Sequence, residues 1–484
     1  MTQPYNIGQH YGEIATANAD YPALIGNNIA LSHGQLWQVA NTLASHLAED
    51  GVGPGSIVVL NSNAVVVVLS TLLATGILGS GFVIANKALA QAKVVQPTHF
   101  YRTADLSGHP DVPFRIFDLD WLRLDKRSFK PHPPAVNDPD APWMYMHTSG
   151  TTGAPKFIAL SQRTILERSQ AASIDFPYRE TSFATTFPCT SRPFFARALA
   201  ALFQACAIVV GEDTDNWLEN GVNFVAGSPA QMSKLFDGRT LPRKIARLEV
   251  SGARLPAGAA ASYLRSFARV IDVYGASETS KSFANELTLS PQGTVIAHGL
   301  LLDSEVEIVN SAGRPCQEGE VGSVRVRNGY MAQGYLFAPR ESERAMKDGW
   351  FYPGDLAQWS ETGALMILGR EDDVINLGGF KLHGSLIDGL IGNIDGVKEA
   401  IAFKNPIPGA TDALIAFVVY EDISNRYMVN VKIVAQVMKS FGFGISERNL
   451  KMIAELPRDE FGSPDRQKCA EMTLQRARNL GEIS

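Results

Sequence analysis

The chain has 484 residues, and at roughly 150 residues per domain this length predicts about three domains. Hydrophobic residues make up 45% and charged residues 19% of the chain, which excludes a disordered or fibrous protein. The net charge of −6 gives no overall attraction to nucleic acid or to an anionic membrane, so neither is a predicted partner and any phosphate must be bound locally.

Short apolar strands alternate with helical stretches from residue 57 to residue 275. The strand patterns are IVVL at Ile57, GFVIA at Gly81, FRIFDL at Phe114, AIVV at Ala207, NFVAG at Asn223, RLEVSG at Arg247 and VIDVYG at Val270. This alternation predicts βαβ units and a parallel sheet with helices on both faces. From Glu305 onward, strands between Gly-rich turns predict an antiparallel, barrel-like region, and a new helix and strand pattern after residue 371 predicts a separate α+β unit.

The segment from Gly51 to Asn86 has no charged residue and could be mistaken for a membrane span. Asn61, Ser62 and Asn63 interrupt it directly after the short apolar run IVVL, so we predict strand, helix and strand in a buried core. The N-terminal residues lack a secretory signal pattern. The four cysteines have no paired spacing, which predicts a cytoplasmic protein without a disulfide framework or zinc site.

The segment HTSGTTGAPKF runs from His147 to Phe157 and follows a predicted strand. Its four hydroxyl side chains and two glycines within six residues can surround phosphate oxygens, and Lys156 adds a cation. The spacing is not that of a Walker A loop. From composition alone, a phosphate-binding loop and an ordinary polar surface loop both remain open.

This loop resembles the signature of the acyl-adenylate-forming superfamily, which includes acyl-CoA synthetases, peptide-synthetase adenylation domains and luciferases. Further matches follow in the family's order: SGARLP at Ser251, YGASE at Tyr274, GWFYPGD at Gly349 and GREDDVINLGGFK at Gly369. The resemblance implies an α/β fold in two domains. A large N-terminal domain, 1–371, would combine parallel α/β sheets with the barrel-like region, and a small mobile α+β domain, 372–484, would hinge at Asp372.

The resemblance also implies the residues of an ATP site. It assigns the phosphates to Thr148, Ser149, Gly150, Thr151, Thr152, Gly153 and Lys156, magnesium to Glu278 and Thr148, and the α-phosphate to Ser277. Tyr274 would stack on the adenine, with Gly252, Ala253 and Arg254 along the base, and Gly275 would belong to the same nucleotide site. Asp355 would bind the ribose, and Arg370 would reach the ribose or the phosphates. The implied catalytic residues are Thr148, Lys156, Glu278 and Lys468. Judged without the motif, Tyr274 could equally be a core tyrosine, and Asp355 and Arg370 could belong to simple turns.

The implied reaction has two steps and needs ATP, Mg²⁺ and CoA, or the pantetheine of a carrier protein. A carboxylic acid becomes acyl-AMP, and a thiol then displaces AMP, as in an acyl-CoA synthetase. A stand-alone adenylating enzyme that loads a carrier protein or forms an amide is the alternative. The loop GGFKLHG, from Gly378 to Gly384, resembles the segment that enters the site for the thiol step, although Gly-Gly is also a common turn.

One departure places adenylation in doubt. The family's closing segment carries a lysine that reaches the α-phosphate, whereas LPRDEFGSPDR places Ser463 there. Three interpretations follow: Lys468 or Lys451 substitutes, adenylation is slow, or the chain is partly degenerate. The last of these would make the chain a non-catalytic nucleotide- or acyl-adenylate-binding protein.

Smaller departures occur elsewhere in the chain. Asn376, Gly384 and Leu386 differ from the common family residues, and Thr190 or Ser191 replaces a histidine. The segments expected to line the acyl pocket are Phe187–Phe195, Phe224–Ser228 and Ser251–Arg254. Their apolar character predicts a hydrophobic or aromatic acid.

Overall fold

The computed structural model describes residues 6–26, 28–85, 95–103, 114–124, 131–135, 138–148, 156–236, 239–253, 255–371, 374–377, 380–407, 414–442, 444–458 and 464–480. Contacts between backbones divide the chain into two compact units. The first contains residues 1–251, 255–306 and 326–351, and the second contains residues 252–254, 307–325 and 352–484. The predicted domain boundary at residues 371 and 372 stays a prediction, because Asp372 lies outside the described residues.

A nine-stranded sheet dominates the described part of the first unit. Its strands are β1 (Pro22–Gly26), β2 (Ile29–Ser32), β9 (Ser182–Thr185), β10 (Ala207–Val209), β11 (Phe224–Gly227), β12 (Ile245–Ser251), β13 (Phe267–Ala276), β14 (Ser280–Leu289) and β15 (Val295–Leu300). The order is β15-β14-β13-β12-β11-β9-β10-β1-β2. The strands from β13 to β1 pair in parallel, and antiparallel strands lie at both edges.

A second sheet of six strands has the order β6-β5-β3-β4-β7-β8. Its strands are β3 (Ile57–Asn61), β4 (Gly81–Ile84), β5 (His99–Arg102), β6 (Arg115–Ile116), β7 (Pro142–Thr148) and β8 (Lys156–Ser161). All its pairs are parallel except the β7–β8 hairpin. The strand predicted at Phe114 is reduced to two exposed residues, because Asp118 caps a short 3₁₀ turn directly after them.

Nine α-helices belong to the described part of the first unit. They are α1 (Ile7–Ala17), α2 (His33–Glu49), α3 (Val65–Leu78), α4 (Gln162–Ala171), α5 (Arg192–Phe203), α6 (Thr214–Glu219), α7 (Pro229–Phe236), α8 (Ala257–Ser266) and α9 (Pro339–Ala345). One apolar core joins residues of both sheets with α1, α2, α3 and α5. These elements confirm the predicted parallel α/β architecture.

The uncharged segment folds as β3, α3 and β4, as predicted. Twelve of the fourteen residues of α3 are buried, which explains the absence of charge on every face of this helix. Gly79 ends the helix in the left-handed conformation, with a φ of +64°. Among the helices that the structure describes, none has the length and apolar character needed to cross a membrane.

An antiparallel sheet follows β15 in the chain. It consists of β16 (Glu305–Val309), β17 (Gly322–Arg327), β18 (Met346–Lys347), β19 (Trp350–Phe351), β20 (Asp355–Trp359) and β21 (Leu365–Arg370). The order is β18-β19-β17-β20-β21, and β16 also pairs with β17. The antiparallel pairs of this sheet confirm the strand pattern predicted from Glu305 onward.

The remaining elements form the α+β part of the second unit. They are β22 (Val374–Leu377), β23 (Phe380–His383), α10 (Gly384–Gly392), β24 (Val397–Lys404), β25 (Leu414–Tyr420), α11 (Arg426–Phe441), β26 (Leu450–Met452) and α12 (Arg466–Asn479). The sheet β24-β25-β26 packs α10 and α11 against one apolar cluster. A second cluster, which contains Phe403, Phe417 and Cys469, packs α12 on the same sheet.

Candidate functional site

The carboxyl ends of β9, β11, β12 and β13 meet at one edge of the nine-stranded sheet, because these strands are neighbours and run in parallel. Such an edge is where open α/β sheets bind ligands. Gly252 and Ala253 follow β12, and Gly252 adopts a φ of +96°, a conformation that favours glycine. Arg254 lies outside the described residues.

The turn between β13 and β14 carries Ser277 and Glu278. Tyr274 and Gly275 end β13, and the strand pairing is irregular between them. A Cβ atom on Gly275 would lie 2.2 Å from the carbonyl oxygen of Ser280, so only glycine fits this position. The hairpin therefore places Ser277 and Glu278 directly beyond the carboxyl end of β13.

Glu278 has a buried side chain that is 5% exposed. Its Oε1 atom accepts a hydrogen bond of 2.8 Å from the Tyr335 hydroxyl group. Its backbone carbonyl accepts from the amide of Ala332, also at 2.8 Å. Within the described ranges no basic side chain forms an ion pair with this carboxylate. A buried carboxylate in this situation is a suitable ligand for a cation.

Arg168, on α4, fixes the backbone around Glu278. Its guanidinium donates hydrogen bonds to the carbonyls of Ser277 at 3.0 Å, Glu278 at 2.7 Å and Tyr330 at 3.0 Å. Burial lowers the pKa of Arg168 to about 9, so the group stays protonated at neutral pH. This side chain therefore joins the turn of Glu278 to the segment that carries Tyr335.

The predicted phosphate loop lies between two paired strands. Thr148 ends β7 and Lys156 begins β8, and the two residues are cross-strand partners. Ser149, Gly150, Thr151, Thr152 and Gly153 lie outside the described residues. The Lys156 ammonium nitrogen is 5.0 Å from the centroid of the Tyr335 ring. The structure thus brings Lys156 and Glu278 together through one tyrosine.

Asp355 and Arg370 face each other across β20 and β21 in the second unit. Arg370 Nη1 donates to Asp355 Oδ1 at 2.8 Å, and the Asp355 side chain is 13% exposed. Gly354, with a φ of +79°, would bring a Cβ atom to 3.2 Å from the same guanidinium. The two residues predicted to bind ribose therefore form one ion pair.

Lys468 lies in the first turn of α12, and its side chain is bound by neighbouring groups. Its ammonium nitrogen donates to the carbonyl of Arg458 at 2.5 Å and lies 3.1 Å from Asp465 Oδ2. Lys451, the other lysine considered as a substitute, is exposed on β26. Ser463 lies outside the described residues, so the choice between these lysines stays a prediction.

The segment predicted to enter the site for the thiol step forms the β22–β23 hairpin. Leu377 and Phe380 pair beside the turn, whereas Gly378 and Gly379 lie outside the described residues. Gly384 follows the hairpin, and a Cβ atom there would lie 2.5 Å from Arg466 Nη1. Arg466 also binds Asp388 on α10, so this packing accounts for glycine at a position where relatives commonly differ.

A buried ion cluster lies beneath the same sheet edge. Glu249 on β12 is fully buried and pairs with Arg197, Arg247 and Lys281, and Asp175 pairs with the last two. Burial alone would raise the pKa of Glu249, but Lys281, Arg247 and Arg197 hold it well below its usual range. The buried Glu249 carboxylate is therefore charged at neutral pH.

Arg197 connects this cluster to two segments expected to line the acyl pocket. Its Nη2 atom donates to the Ser251 hydroxyl at 3.4 Å, and its guanidinium carbon lies 5.3 Å from the ring of Phe187. The apolar character of these segments, from which a hydrophobic or aromatic acid was predicted, did not indicate this cation. The guanidinium of Arg197, which is paired with Glu249, therefore lies next to the ring of Phe187.

Comparison with known proteins identifies the family. The profile described as "AMP-binding enzyme" matches residues 13–336, about two thirds of the chain. This chain is an AMP-binding enzyme. The resemblance read from the signature loop is thereby confirmed.

Two curated relatives illustrate the range of the family. A 3-hydroxybenzoate–CoA ligase from Aromatoleum sp. (strain CIB) is 24% identical over 95% of this chain and 95% of its own length. A 2-hydroxy-7-methoxy-5-methyl-1-naphthoate–CoA ligase from Streptomyces carzinostaticus is 32% identical over 34% of this chain and 29% of its own length. Relatives named CoA ligases belong to the predicted class, AMP-forming acid–thiol ligases.

Solved structures show the same fold. ATP-bound MatB from Rhodopseudomonas palustris superposes with a TM-score of 0.81 at 18% identity, over 97% of this chain and 98% of that one. The amide bond synthetase McbA from Marinactinospora thermotolerans gives a TM-score of 0.79 at 21% identity, over 96% and 99%. The fold class of this AMP-binding enzyme is therefore the predicted one.

The sequence did not reveal Tyr335, Arg168 or Arg197 in this AMP-binding enzyme. Tyr335 follows the Gly-rich segment from Gly329 to Gly334, which indicated only a turn. The one signal that could have found Arg168 is its position three residues after Ile165, which places its charge on the buried face of α4. In each case the side chain acts on a residue more than 50 positions away.

Proposed function

We propose that this protein is an ATP-dependent acid–thiol ligase of the AMP-forming type. A carboxylate oxygen of the acid attacks the α-phosphorus of ATP, the bond to the β-phosphate oxygen breaks, and pyrophosphate leaves. A thiolate then attacks the acyl carbonyl and AMP leaves, while the thiol proton passes to solvent. The connection from Lys156 through Tyr335 to Glu278 carries this proposal, because it joins the hydroxyl-rich loop to a buried carboxylate.

The residues of the site fit a magnesium nucleotide. Glu278 offers a hard oxygen ligand with a single hydrogen-bond donor, Tyr335, and the Lys156 ammonium group lies next to the ring of that tyrosine. When bound, Mg²⁺ would neutralise charge on the phosphate oxygens. We assign the phosphates to Thr148, Ser149, Gly150, Thr151, Thr152, Gly153 and Lys156, the metal to Glu278 and Thr148, the α-phosphate to Ser277, the adenine to Tyr274, Gly275, Gly252, Ala253 and Arg254, and the ribose to Asp355 and Arg370.

The small domain completes the proposal. We assign it residues 372–484 and place its hinge at Asp372. Lys468 would supply a cation to adenylation, for which it would have to leave the Arg458 carbonyl. CoA or a carrier-protein pantetheine is the proposed thiol, and the cytoplasm is the proposed compartment.

A hydrophobic or aromatic acid is the proposed substrate class. The names of two relatives, a hydroxybenzoate ligase and a naphthoate ligase, support an aromatic acid. The buried phenylalanines of the expected pocket segments, Phe187, Phe194 and Phe224, support it independently.

A second acceptor class has specific support. An amide bond synthetase is among the structures with the same fold, so an amine could replace the thiol. Synthetic acyl-AMP should therefore be offered to CoA, to a holo carrier protein and to an amine. Release of AMP with the amine or the carrier protein, and none with CoA, would refute the CoA assignment.

The decisive experiment is pyrophosphate exchange into ATP over a panel of carboxylic acids. We expect exchange with at least one hydrophobic or aromatic acid. Glu278→Gln should lower the rate by about a hundredfold or more, whereas Glu286→Gln, which breaks a surface pair with Arg269, should not change it. Equal rates in the two variants would contradict the role of Glu278.

The same assay tests the non-catalytic alternative. If the native chain binds ATP and gives no exchange with any acid, while Ser463→Lys gives exchange, the chain is a binding protein that lost its lysine. If the native chain supports exchange and Ser463→Lys accelerates it, adenylation is slow but intact.

A further inference from the structure

Arg192 is the first residue of α5, and its side chain is partly buried. It lines a cavity together with Arg168, apolar side chains of β7 and α5, and Ser280. Among the residues that line this cavity, only the two arginines are charged. The surface of this cavity is mostly apolar, and Arg168 and Arg192 are its charged lining residues, next to the turn that carries Glu278.

The two arginines of the cavity differ in their partners. Arg168 donates to three backbone carbonyls, and the neighbouring Arg197 binds Glu249. For Arg192, the described part of the chain provides neither a hydrogen-bond acceptor nor an ion-pair partner. A guanidinium withdrawn from water without a partner is costly, and proteins usually pair such charges.

The charged groups around Arg192 include Arg197 and Glu278, and together they leave an excess of positive charge. Burial and, to a smaller extent, the positive charge of Arg197 lower the pKa of Arg192 to about 10, against the opposing effect of Glu278. The pKa of Arg168 is in turn lowered by the positive charge of Arg192 and raised by Glu278. One carboxylate thus faces two guanidinium groups, and a further anion would balance the charge.

We propose that Arg192 binds an oxyanion of a bound reactant, and that this oxyanion belongs to the phosphate chain of ATP. The inference rests on the proposed function, since Glu278 marks the phosphate side of the site only if it holds the metal. A guanidinium binds phosphate oxygens well because it can donate two parallel hydrogen bonds. Arg192 would then contribute positive charge to a site in which Ser463 replaces a lysine.

Direct binding tests this without any turnover. Pyrophosphate, AMP and ATP, each with Mg²⁺, are titrated calorimetrically into the native chain, Arg192→Gln and Arg192→Lys. We expect Arg192→Gln to weaken pyrophosphate and ATP by about ten- to a hundredfold and AMP less. Arg192→Lys should keep part of the affinity. Equal affinities of the native chain and Arg192→Gln for all three ligands would overturn the proposal.

Two controls separate binding from folding. Arg163→Gln, on the exposed side of α4, removes a surface pair with Asp140 and should leave all three affinities unchanged. Arg192→Gln should unfold at the same temperature as the native chain or a higher one, because it removes an unpaired charge. A lower unfolding temperature in Arg192→Gln that Arg192→Met shares would show that Arg192 is structural, and would overturn the proposal.

A second acidic group on the carboxylic acid would supply the same oxyanion chemistry. If Arg192→Gln raises the KM of a dicarboxylic acid in the exchange assay but leaves that of a monocarboxylic acid and the affinity for pyrophosphate unchanged, the phosphate assignment is wrong. If no acid supports exchange in the native chain, the proposed function fails, and pyrophosphate titration still decides whether Arg192 binds an oxyanion.

Discussion

The Tyr335 hydroxyl donates a hydrogen bond to Glu278 Oε1, and the Lys156 ammonium nitrogen lies over the same ring, 5.0 Å from its centroid. One tyrosine thus contacts both the buried carboxylate and the cation that closes the hydroxyl-rich loop. This relationship orients the carboxylate while leaving its second oxygen available to a metal.

Removal of the Tyr335 hydroxyl tests this relationship. Tyr335→Phe keeps the ring beside Lys156 and removes the donor to Glu278. A hydrogen bond to a charged group contributes about 1.5–3 kcal/mol, so we expect pyrophosphate exchange to fall at least tenfold and the Mg²⁺ requirement to rise. Tyr330→Phe, which removes a bond to the carbonyl of Asp303, is the matched control and should leave the Mg²⁺ requirement unchanged.

Arg168 is expected to act as a positioning residue for Glu278. Arg168→Met leaves three carbonyls without their donor and should cost about 3 kcal/mol in the free energy of unfolding. Arg168→Lys can serve fewer of these carbonyls, and we expect a folded protein with a raised Mg²⁺ requirement for exchange. If Arg168→Lys is folded and its Mg²⁺ dependence matches the native curve, the positioning role is wrong. Arg163→Met, on the same helix, should lose less than about 1 kcal/mol.

Asp355 should affect the nucleoside part of the ligand alone. If its carboxylate binds ribose, Asp355→Asn weakens AMP and ATP by a similar factor and leaves pyrophosphate binding unchanged. This pattern is the opposite of that expected for Arg192→Gln. Calorimetric titration of the three ligands measures both, and a loss of pyrophosphate affinity in Asp355→Asn would count against the ribose assignment.

The buried ion cluster should dominate the response of the first unit to acid. Glu249→Gln leaves Arg247 and Lys281 with Asp175 as their carboxylate partner and removes the carboxylate that pairs with Arg197, and we expect a loss of about 3–5 kcal/mol. Because the pKa of Glu249 is lower in the folded chain than in the unfolded one, the native stability is complete above about pH 4.3 and declines as the pH falls below it. Urea unfolding at pH 7 and pH 4 measures the loss of stability in Glu249→Gln and the decline of native stability in acid. If Glu249→Gln is as stable as the native chain at pH 7, the expected loss is wrong.

His33 predicts a second pH dependence at milder acidity. Its ring is buried next to the Tyr11 hydroxyl, and burial lowers its pKa to about 4. The unfolded chain binds a proton near pH 6.5 and the folded chain does not, so stability should fall by up to about 3 kcal/mol as the pH drops from 6.5 to 4. His33→Gln should flatten this slope in urea unfolding, and His46→Gln should not. Parallel slopes in the native chain and His33→Gln would contradict the prediction.

Local patterns accounted for much of the fold. The strand, helix and strand between Ile57 and Ile84 follow from short apolar runs separated by polar or glycine residues, which act within a few positions. The strand expected at Phe114 was too long, because the cap formed by Asp118 competes with strand pairing. The strand β6 lies at the edge of its sheet and pairs with one neighbour only. Fewer strand-pairing hydrogen bonds therefore compete with the local hydrogen bond of the Asp118 cap.

The site was predictable only where the chemistry lies on a continuous segment. Thr148, Lys156 and Glu278 belong to short motifs that could be recognised from their letters. Tyr335 and Arg168 act over separations of 57 and 110 residues, and no period or spacing encodes such contacts. The charge beside Phe187 was missed for the same reason, since Arg197 comes from another element.

The pairing of Thr148 with Lys156 has a consequence for how this enzyme can be altered. Pairing of the two strands holds Thr148 and Lys156 next to each other. The contacts of these strands therefore offset most of the conformational entropy that is lost when residues 149–155 connect them. Doubling the length of a flexible connection adds only about 0.6 kcal/mol. Insertions between these two residues should therefore cost the folded chain little stability while they abolish the phosphate binding assigned to residues 148–153, so that activity and stability can be altered separately at this position.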